Sequence, residues 1–164
     1  AVEGKILFAV EDGVHVLKFV GDVRVTLGPT ISAFLEKIAD CQNFHSVVID
    51  LSETVGIDST SLGLLAKIAM KVQESFGAVP TILSTNDDIT RVLLTMGFDQ
   101  VFVIVREDTG ILAATEALPC RRISEGDMRT QVLDAHRTLM TMNEGNRVAF
   151  RDLVGALEVE SGLN

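Results

Sequence analysis

Between Val47 and Gly63 the chain runs VVIDLSETVGIDSTSLG and continues at once into LLAKIAMKVQ. The apolar run of Val47, Val48, Ile49 and Leu51 ends at an acidic loop, and a small polar cluster then opens a segment of helical apolar period. That order reads as strand, loop and helix N-terminus. The cluster itself, Asp58, Ser59, Thr60 and Ser61, sets three hydroxyls and one carboxylate where the helix begins. Any of them can cap the backbone N–H groups that a first helical turn leaves unpaired. An over-provided N-cap is therefore one reading of these residues, and a chemical site is the other.

The flanking chain repeats the same alternation. Residues 5 to 10 (KILFAV) and 14 to 20 (VHVLKFV) are β-rich and are separated by Glu11-Asp12-Gly13, which signals a hairpin with a short glycine-containing turn. His15 alternates with Val14 and Val16 and so faces the other side of its strand; no Cys or Ser nucleophile is tied to it by a local motif. Gly28-Pro29-Thr30 leads into a first helix carrying Ile31, Phe34, Leu35 and Ile38 at helical spacing, with the proline suited to the first turn. His45 lies at the junction into the Val47 strand, where a solvated or backbone-bonded imidazole is the default. After the polar cluster, Leu62, Leu65, Ala66, Ile68, Ala69 and Val72 predict an amphipathic helix ending near Gly77.

Residues 79 to 83 form a short apolar strand. Residues 84 to 98 begin with a capping cluster, continue through Ile89, Val92, Leu93 and Met96, and stop at Gly97. Residues 101 to 105 form a further strand, and residues 107 to 119 are expected as one more short helix. The predicted architecture is α/β: a small, mainly parallel sheet, extended by the N-terminal hairpin and covered by helices.

Residues 120 to 127 (CRRISEGD) read as a hinge, which divides the chain into a domain over 1–119 and a helical extension over 120–164. In the extension Met128, Val132, Ala135, Leu139 and Met142 recur at spacings of four and three, and Phe150, Leu153, Val154 and Leu157 continue the pattern beyond Asn143-Glu144-Gly145-Asn146. Either it is a helical hairpin turning at Gly145, or it is one long helix with a weakened centre. In both cases the apolar face must be buried against the domain, against itself or against a second chain.

Charge narrows the classes of partner. The net charge is −9, and neither Lys nor Arg gathers into a long stripe. Nucleic acid is therefore not expected as a direct ligand, since phosphate neutralisation needs clustered positive charge. An acidic surface favours a basic protein partner. The core must be built from aliphatic side chains and eight Phe, because Trp and Tyr are absent. The two cysteines, Cys41 and Cys120, have no second Cys or His at a metal-ligand spacing, so no metal site is expected; isolated thiols fit a reducing cytosol. With no basic region followed by an apolar run and no long apolar stretch, the expectation is a soluble, cytoplasmic protein without membrane contact.

The sequence Asp58-Ser59-Thr60-Ser61-Leu62-Gly63, after a hydrophobic strand and an acidic loop, resembles the motif of STAS-domain anti-anti-sigma factors, usually Asp-Ser-Ser/Thr-Gly/Ala-Leu-Gly. The order of elements fits that family over roughly residues 3 to 106. Ser61 stands where Gly or Ala is usual, and Arg24 stands where many members carry Asp. The resemblance implies that Ser59 is the phosphorylated residue, with Thr60 as rival acceptor, and that Asp58, Ser59, Thr60, Ser61 and Gly63 form a partner-binding face. It implies an anti-sigma serine kinase as the partner bound before phosphorylation and released after it, and a metal-dependent serine phosphatase that resets the switch. No cofactor and no catalytic activity of the domain itself are implied. The extension lies beyond the resemblance.

Physical chemistry agrees with such a switch. A phosphate at Ser59 would add about −1.5 to −2 charges at a helix N-terminus, which tolerates them, so folding should survive while docking should not. The new charge is expected beside Asp58 and Glu53. Two rival classes remain on the page. A serine hydrolase needs a nucleophile at a strand-to-helix turn, and Ser59 is at one, yet Gly-x-Ser-x-Gly is absent and no catalytic histidine is suggested near the later strands. A signalling scaffold or sensor of the same fold would use the C-terminal helices to bind a non-sigma partner. A nucleotide-binding fold lacks its glycine-rich or lysine loop.

Overall fold

The computed structural model of the protein describes residues 3–107, 116–117 and 125–160. Its sheet begins with β1 (Lys5–Glu11) and β2 (Val14–Val23), joined by a tight turn. Asp12 and Gly13 both have positive φ, 51° and 81°, the combination a two-residue hairpin turn needs if its twist is to match the strands. Gly13 has a second constraint. Its carbonyl accepts from His45 N at 2.9 Å, and a Cβ there would lie 2.2 Å from the Asn43 carbonyl oxygen.

A 3₁₀ turn at Val25–Leu27 leads into α1 (Gly28–Ile38), followed by β3 (Ser46–Ile57), α2 (Ser59–Phe76), β4 (Thr81–Leu83), α3 (Asp87–Thr95) and β5 (Val103–Val105). The strand order is β5-β4-β3-β2-β1-β6, where β6 is the two-residue strand Glu116–Ala117. β2 to β5 are mutually parallel, and β1 runs antiparallel to both β2 and β6. This is the expected mainly parallel sheet with a hairpin at one side.

Alternation along the strands assigns the faces. His15, Leu17 and Phe19 of β2 and Val47, Ile49 and Leu51 of β3 project to one side; there Leu17, Phe19, Val47, Ile49 and Leu51 merge with Ile31 and Ile38 of α1, Leu65, Ile68 and Val72 of α2, and Ile89 and Leu93 of α3. A smaller cluster of Ala9, Val16 and Val48 lies on the other face. The core of aliphatic side chains and Phe expected from composition is thus one layer of helices against one face of the sheet.

Three expectations are corrected. The acidic segment after Leu51 is strand, not loop: β3 runs on to Ile57 because β2 also continues, pairing Val20 with Glu53, Gly21 with Thr54, and Asp22 and Val23 with Gly56 and Ile57. Two register irregularities absorb the mismatch, and Thr54 Oγ1 donates to the Phe19 carbonyl at 2.8 Å, so polar residues enter the ladder without losing their partners. Within the expected helix over 107–119, Glu116–Ala117 is strand instead, held by pairing to Phe8 and Leu7; residues 108–115 and 118–119 lie outside the described residues, as do the 119/120 boundary and Cys120. The C-terminal segment is a hairpin of α4 (Glu125–Met140) and α5 (Glu144–Glu160), but it turns at Thr141–Asn143, ahead of Gly145. Asn143 makes the break: its side-chain oxygen accepts from Asn146 N at 2.7 Å and starts α5.

The hairpin lies on the domain, with Ala135 and Leu139 joining the same hydrophobic cluster as the sheet. Its buried side is not quite the predicted stripe. Leu133 and His136 are buried along with Ala135, Leu139 and Val154, while Leu153 faces outward.

Candidate functional site

The strand β3 delivers the chain to Asp58, whose backbone is still extended (φ −83°, ψ 165°) and whose side chain caps α2. Its carboxylate is fully engaged. Oδ1 accepts from Ser61 N at 2.8 Å and Oδ2 from Val25 N at 2.7 Å, while Asp58 N donates to the Val23 carbonyl at 3.0 Å. One residue thereby ties the end of β2 and its 3₁₀ turn to the head of α2. Arg24, next in the chain to Val25, turns its guanidinium to Asp22, whose carboxyl that hydrogen bond holds below its usual value. Asp58 adds a smaller field that helps keep Arg24 protonated.

The hydroxyl cluster is divided by burial. Ser59 is half-buried; Thr60 is buried; Ser61 is fully buried, and its Oγ has no hydrogen-bond partner among the described residues. A kinase reaching this turn would meet Ser59 before Thr60. Ser61 stands where the resemblance leads one to expect a residue without a hydroxyl, and its surroundings are those of such a residue.

Ser59 has a partner from the far end of the chain. Its Oγ lies 2.7 Å from Nε2 of His136 on α4, and His136 Nδ1 lies 2.6 Å from the Val132 carbonyl. A carbonyl can only accept, so in the neutral ring Nδ1 carries the proton, Nε2 accepts, and the Ser59 hydroxyl donates. His136 is only 2% exposed, with its ring set edge-on to Phe150 at 5.0 Å. Nothing in the sequence near Ser59 announces this residue 77 positions away. The one available signal is a histidine inside the apolar period of the extension.

The contact continues along α2. Gly63 meets the α4 backbone so closely that a Cβ would lie 2.3 Å from the Ala135 carbonyl oxygen, and Lys67 forms an ion pair with Asp134. Ser59, Gly63 and Lys67, at i, i+4 and i+8, are thus one stripe of α2 laid against three consecutive residues of α4. Gln131 Nε2 donates to Ser32 Oγ of α1 at 3.0 Å, and Asn146 Nδ2 donates to the Met96 carbonyl at 2.8 Å beyond α3. Because α4 covers its outer side, the first two turns of α2 are buried all round, from Thr60 to Ala66.

The remaining sequence candidates fall elsewhere. Glu53 is not beside Ser59: it lies five strand residues back from Asp58, roughly 16 Å at the rise of a strand, and pairs with Lys18. His15 pairs across the sheet with Val47 near the start of β3, the end opposite Ser59. Burial lowers its pKa; its ring lies among Phe8, Phe34 and Phe44, with Nε2 3.3 Å from Cys41 Sγ. His45 is exposed and bonded through its backbone to Gly13. Among the described residues there is no group of His, Cys, Asp or Glu that could hold a metal ion, and no helix is long and apolar enough to cross a membrane.

A serine hydroxyl donating to a histidine that is itself oriented by a second hydrogen bond has the outline of a nucleophile and its base. Its setting differs from a catalytic one. The imidazole is sealed beneath Phe150, and a cavity of about 340 Å³ lies toward the other end of α2, lined by Ala69, Met70, Gln73, Glu74, Val79, Gln100 and Val101. What the geometry permits at Ser59 is an exchange of partners at the positive end of an 18-residue helix.

Comparison with known proteins gives a family and a fold. The STAS domain family matches residues 5–110. The search of curated proteins found no match. Among solved structures, an anti-sigma factor antagonist from Mycobacterium paratuberculosis aligns with a TM-score of 0.55 at 21% identity, over 64% of this chain and 87% of that one. The anti-sigma factor antagonist SpoIIAA in its unphosphorylated form aligns at 0.51 and 14% identity, over 62% and 87%. The Bacillus cell fate determinant SpoIIAA in its phosphorylated form aligns at 0.50 and 15%, over 62% and 90%. The α4–α5 hairpin begins after the family match ends.

Proposed function

Because the chain belongs to the STAS domain family, we propose that it is a phosphorylation-controlled regulator of the anti-anti-sigma type. Unphosphorylated, it binds and sequesters an anti-sigma serine kinase; phosphorylated on Ser59, it releases that kinase, and a serine phosphatase resets it. The domain supplies a substrate residue and a binding face, and the chemistry belongs to the other proteins. The observation that carries this reading is the placement of Ser59. It is the half-buried first residue of a long helix whose backbone is pinned by Asp58, while both neighbouring hydroxyls are buried. Phosphoryl transfer there forms a bond from Ser59 Oγ to phosphorus and breaks the terminal anhydride bond of the kinase's nucleoside triphosphate, with the hydroxyl proton passing to a base. The product anion then sits at a helix N-terminus that stabilises it. The solved relatives whose names include both an unphosphorylated and a phosphorylated form are in keeping with it.

The test is affinity purification from the native cell under phosphatase inhibition, with mass spectrometry of co-purifying proteins and of modified peptides. Ser59→Ala should abolish the phosphorylated form and keep partner binding. Ser59→Asp should weaken binding by about 1–3 kcal/mol, the range for a charge left poorly paired at an interface. Phosphate confined to Thr60 overturns the residue assignment, and phosphate on neither overturns the switch. Recovery of an enzyme or receptor in place of a kinase-like ATPase moves the reading to a scaffold whose C-terminal helices engage a non-sigma partner.

A further inference from the structure

We propose that the α4–α5 hairpin is a built-in occupant of the Ser59 face, latched by His136, and that hairpin docking and phosphate on Ser59 exclude each other. The inference rests on Ser59 being the modified residue, and it concerns what covers that residue before any partner arrives.

The contacts fall on the residues the switch needs. Ser59 donates to His136, Gly63 has the Ala135 backbone against it, and both belong to the motif expected to face a partner. A kinase or partner that uses Ser59 and Gly63 must displace α4, because two chains cannot occupy one surface. The close approach at Gly63 matters here. A helix lying 2.3 Å from where a Cβ would stand leaves no layer into which a second protein could insert.

Phosphate makes the exclusion chemical. The ester would place phosphorus and three oxygens on an Oγ that lies 2.7 Å from Nε2 of a ring with only 2% exposure. The ester oxygen has no proton left to donate to Nε2, so the hydrogen bond that holds Ser59 against the buried ring is lost. Asp134 of α4, paired with Lys67 of α2, adds a charge of the same sign on this face. In the docked form the hydroxyl is held against His136 of α4, so a kinase active site that must surround the Oγ needs α4 displaced. The rest of the attachment suits a part that can detach as a unit. Among the described residues it includes a half-exposed ion pair, one hydrogen bond from the Gln131 amide to Ser32, the Asn146 clamp at Met96, and a buried set around Leu133, Ala135 and Leu139.

The experiment needs neither kinase nor partner. Phosphoserine is incorporated at position 59 of the full chain during synthesis, and amide hydrogen exchange is compared with the unmodified protein. Expected is exchange at least about tenfold faster over residues 125–140, with β2 and β3 unchanged, since opening is local. Equal or slower exchange in α4 overturns the proposal, the latter because it would mean that His136 receives the phosphate and tightens the hairpin. In unmodified protein, His136→Ala and, separately, Asn146→Ala, which loosens the end far from Ser59, should each speed exchange in α4 and leave the sheet protected. Unchanged α4 exchange in His136→Ala removes the latch. Absence of phosphate on Ser59 in the cell would instead defeat the switch reading and leave these measurements standing, so the two failures are distinct.

Discussion

Asp58 holds three segments at once, and the position of Ser59 depends on it. Its two carboxylate oxygens satisfy one amide at the head of α2 and one amide of the turn after β2. Asp58→Ala leaves both donors without that acceptor. Loss of a cap costs about 0.5–2 kcal/mol, and a second part-buried donor left unpaired adds to it, so a total of roughly 2–3 kcal/mol is expected. Asp58→Asn keeps one acceptor oxygen and should recover part of the loss. Thermal melting checks both; an Ala variant that melts with the parent would show that the carboxylate does not organise this turn. Ser61 illustrates the opposite case at the same scale, a hydroxyl buried with no described partner, so its place in the motif is a matter of size rather than bonding.

At the scale of elements, α2 is unusual in being covered on two sides, by the sheet and by α4. Gly63 permits the second covering. In an isolated helix Gly→Ala gains about 0.8–1.0 kcal/mol of propensity. Here the added methyl group would strike backbone, which cannot rotate away, and overpacking of that kind costs about 1–3 kcal/mol. The clash is expected to win, so Gly63→Ala should lower the melting temperature and deprotect α4 while α2 keeps its amides. A higher melting temperature would mean that α4 is not seated where Ala135 meets Gly63. The stripe Ser59, Gly63, Lys67 is an arrangement between elements, and none of its three contacts has a partner within 60 positions in the chain.

For the molecule as a whole, the hairpin contributes Ala135 and Leu139 to the larger hydrophobic cluster that also holds the sheet. Truncation after residue 120 removes Ala135 and Leu139 from that cluster, together with the buried Leu133 and Val154, and uncovers Gly63. Burying one leucine is worth roughly 1.5–3 kcal/mol before the cost of ordering the segment. A net loss of about 2 kcal/mol would lower the melting temperature by roughly 4–8 °C for a chain of this size. The Ser59 turn should still fold, because Asp58, Val23 and Val25 all lie within the remaining part. Unchanged melting on truncation would show that the hairpin adds nothing to the fold.

The amino-acid sequence by itself determined most of the elements and their order. Strand alternation in KILFAV and VHVLKFV, the Asp12-Gly13 turn, the Asp58 and Asn86 caps and the Gly77 stop are local, and local steric and capping preferences act over a few residues whatever surrounds them. The Asp58–Gly63 motif was legible for the same reason. The tertiary structure alone decided three things. It drew Ser52–Ile57 into the ladder because β2 offered a partner edge; it paired Glu116–Ala117 with β1 against an expected helical preference; and it brought His136 to Ser59. Each is a contact between segments far apart in the chain. The apolar period of α4 announced only that one face had to be buried, and the free energy of burying it is nearly the same on any apolar surface. Which surface received it depended on shape, above all the backbone left bare at Gly63.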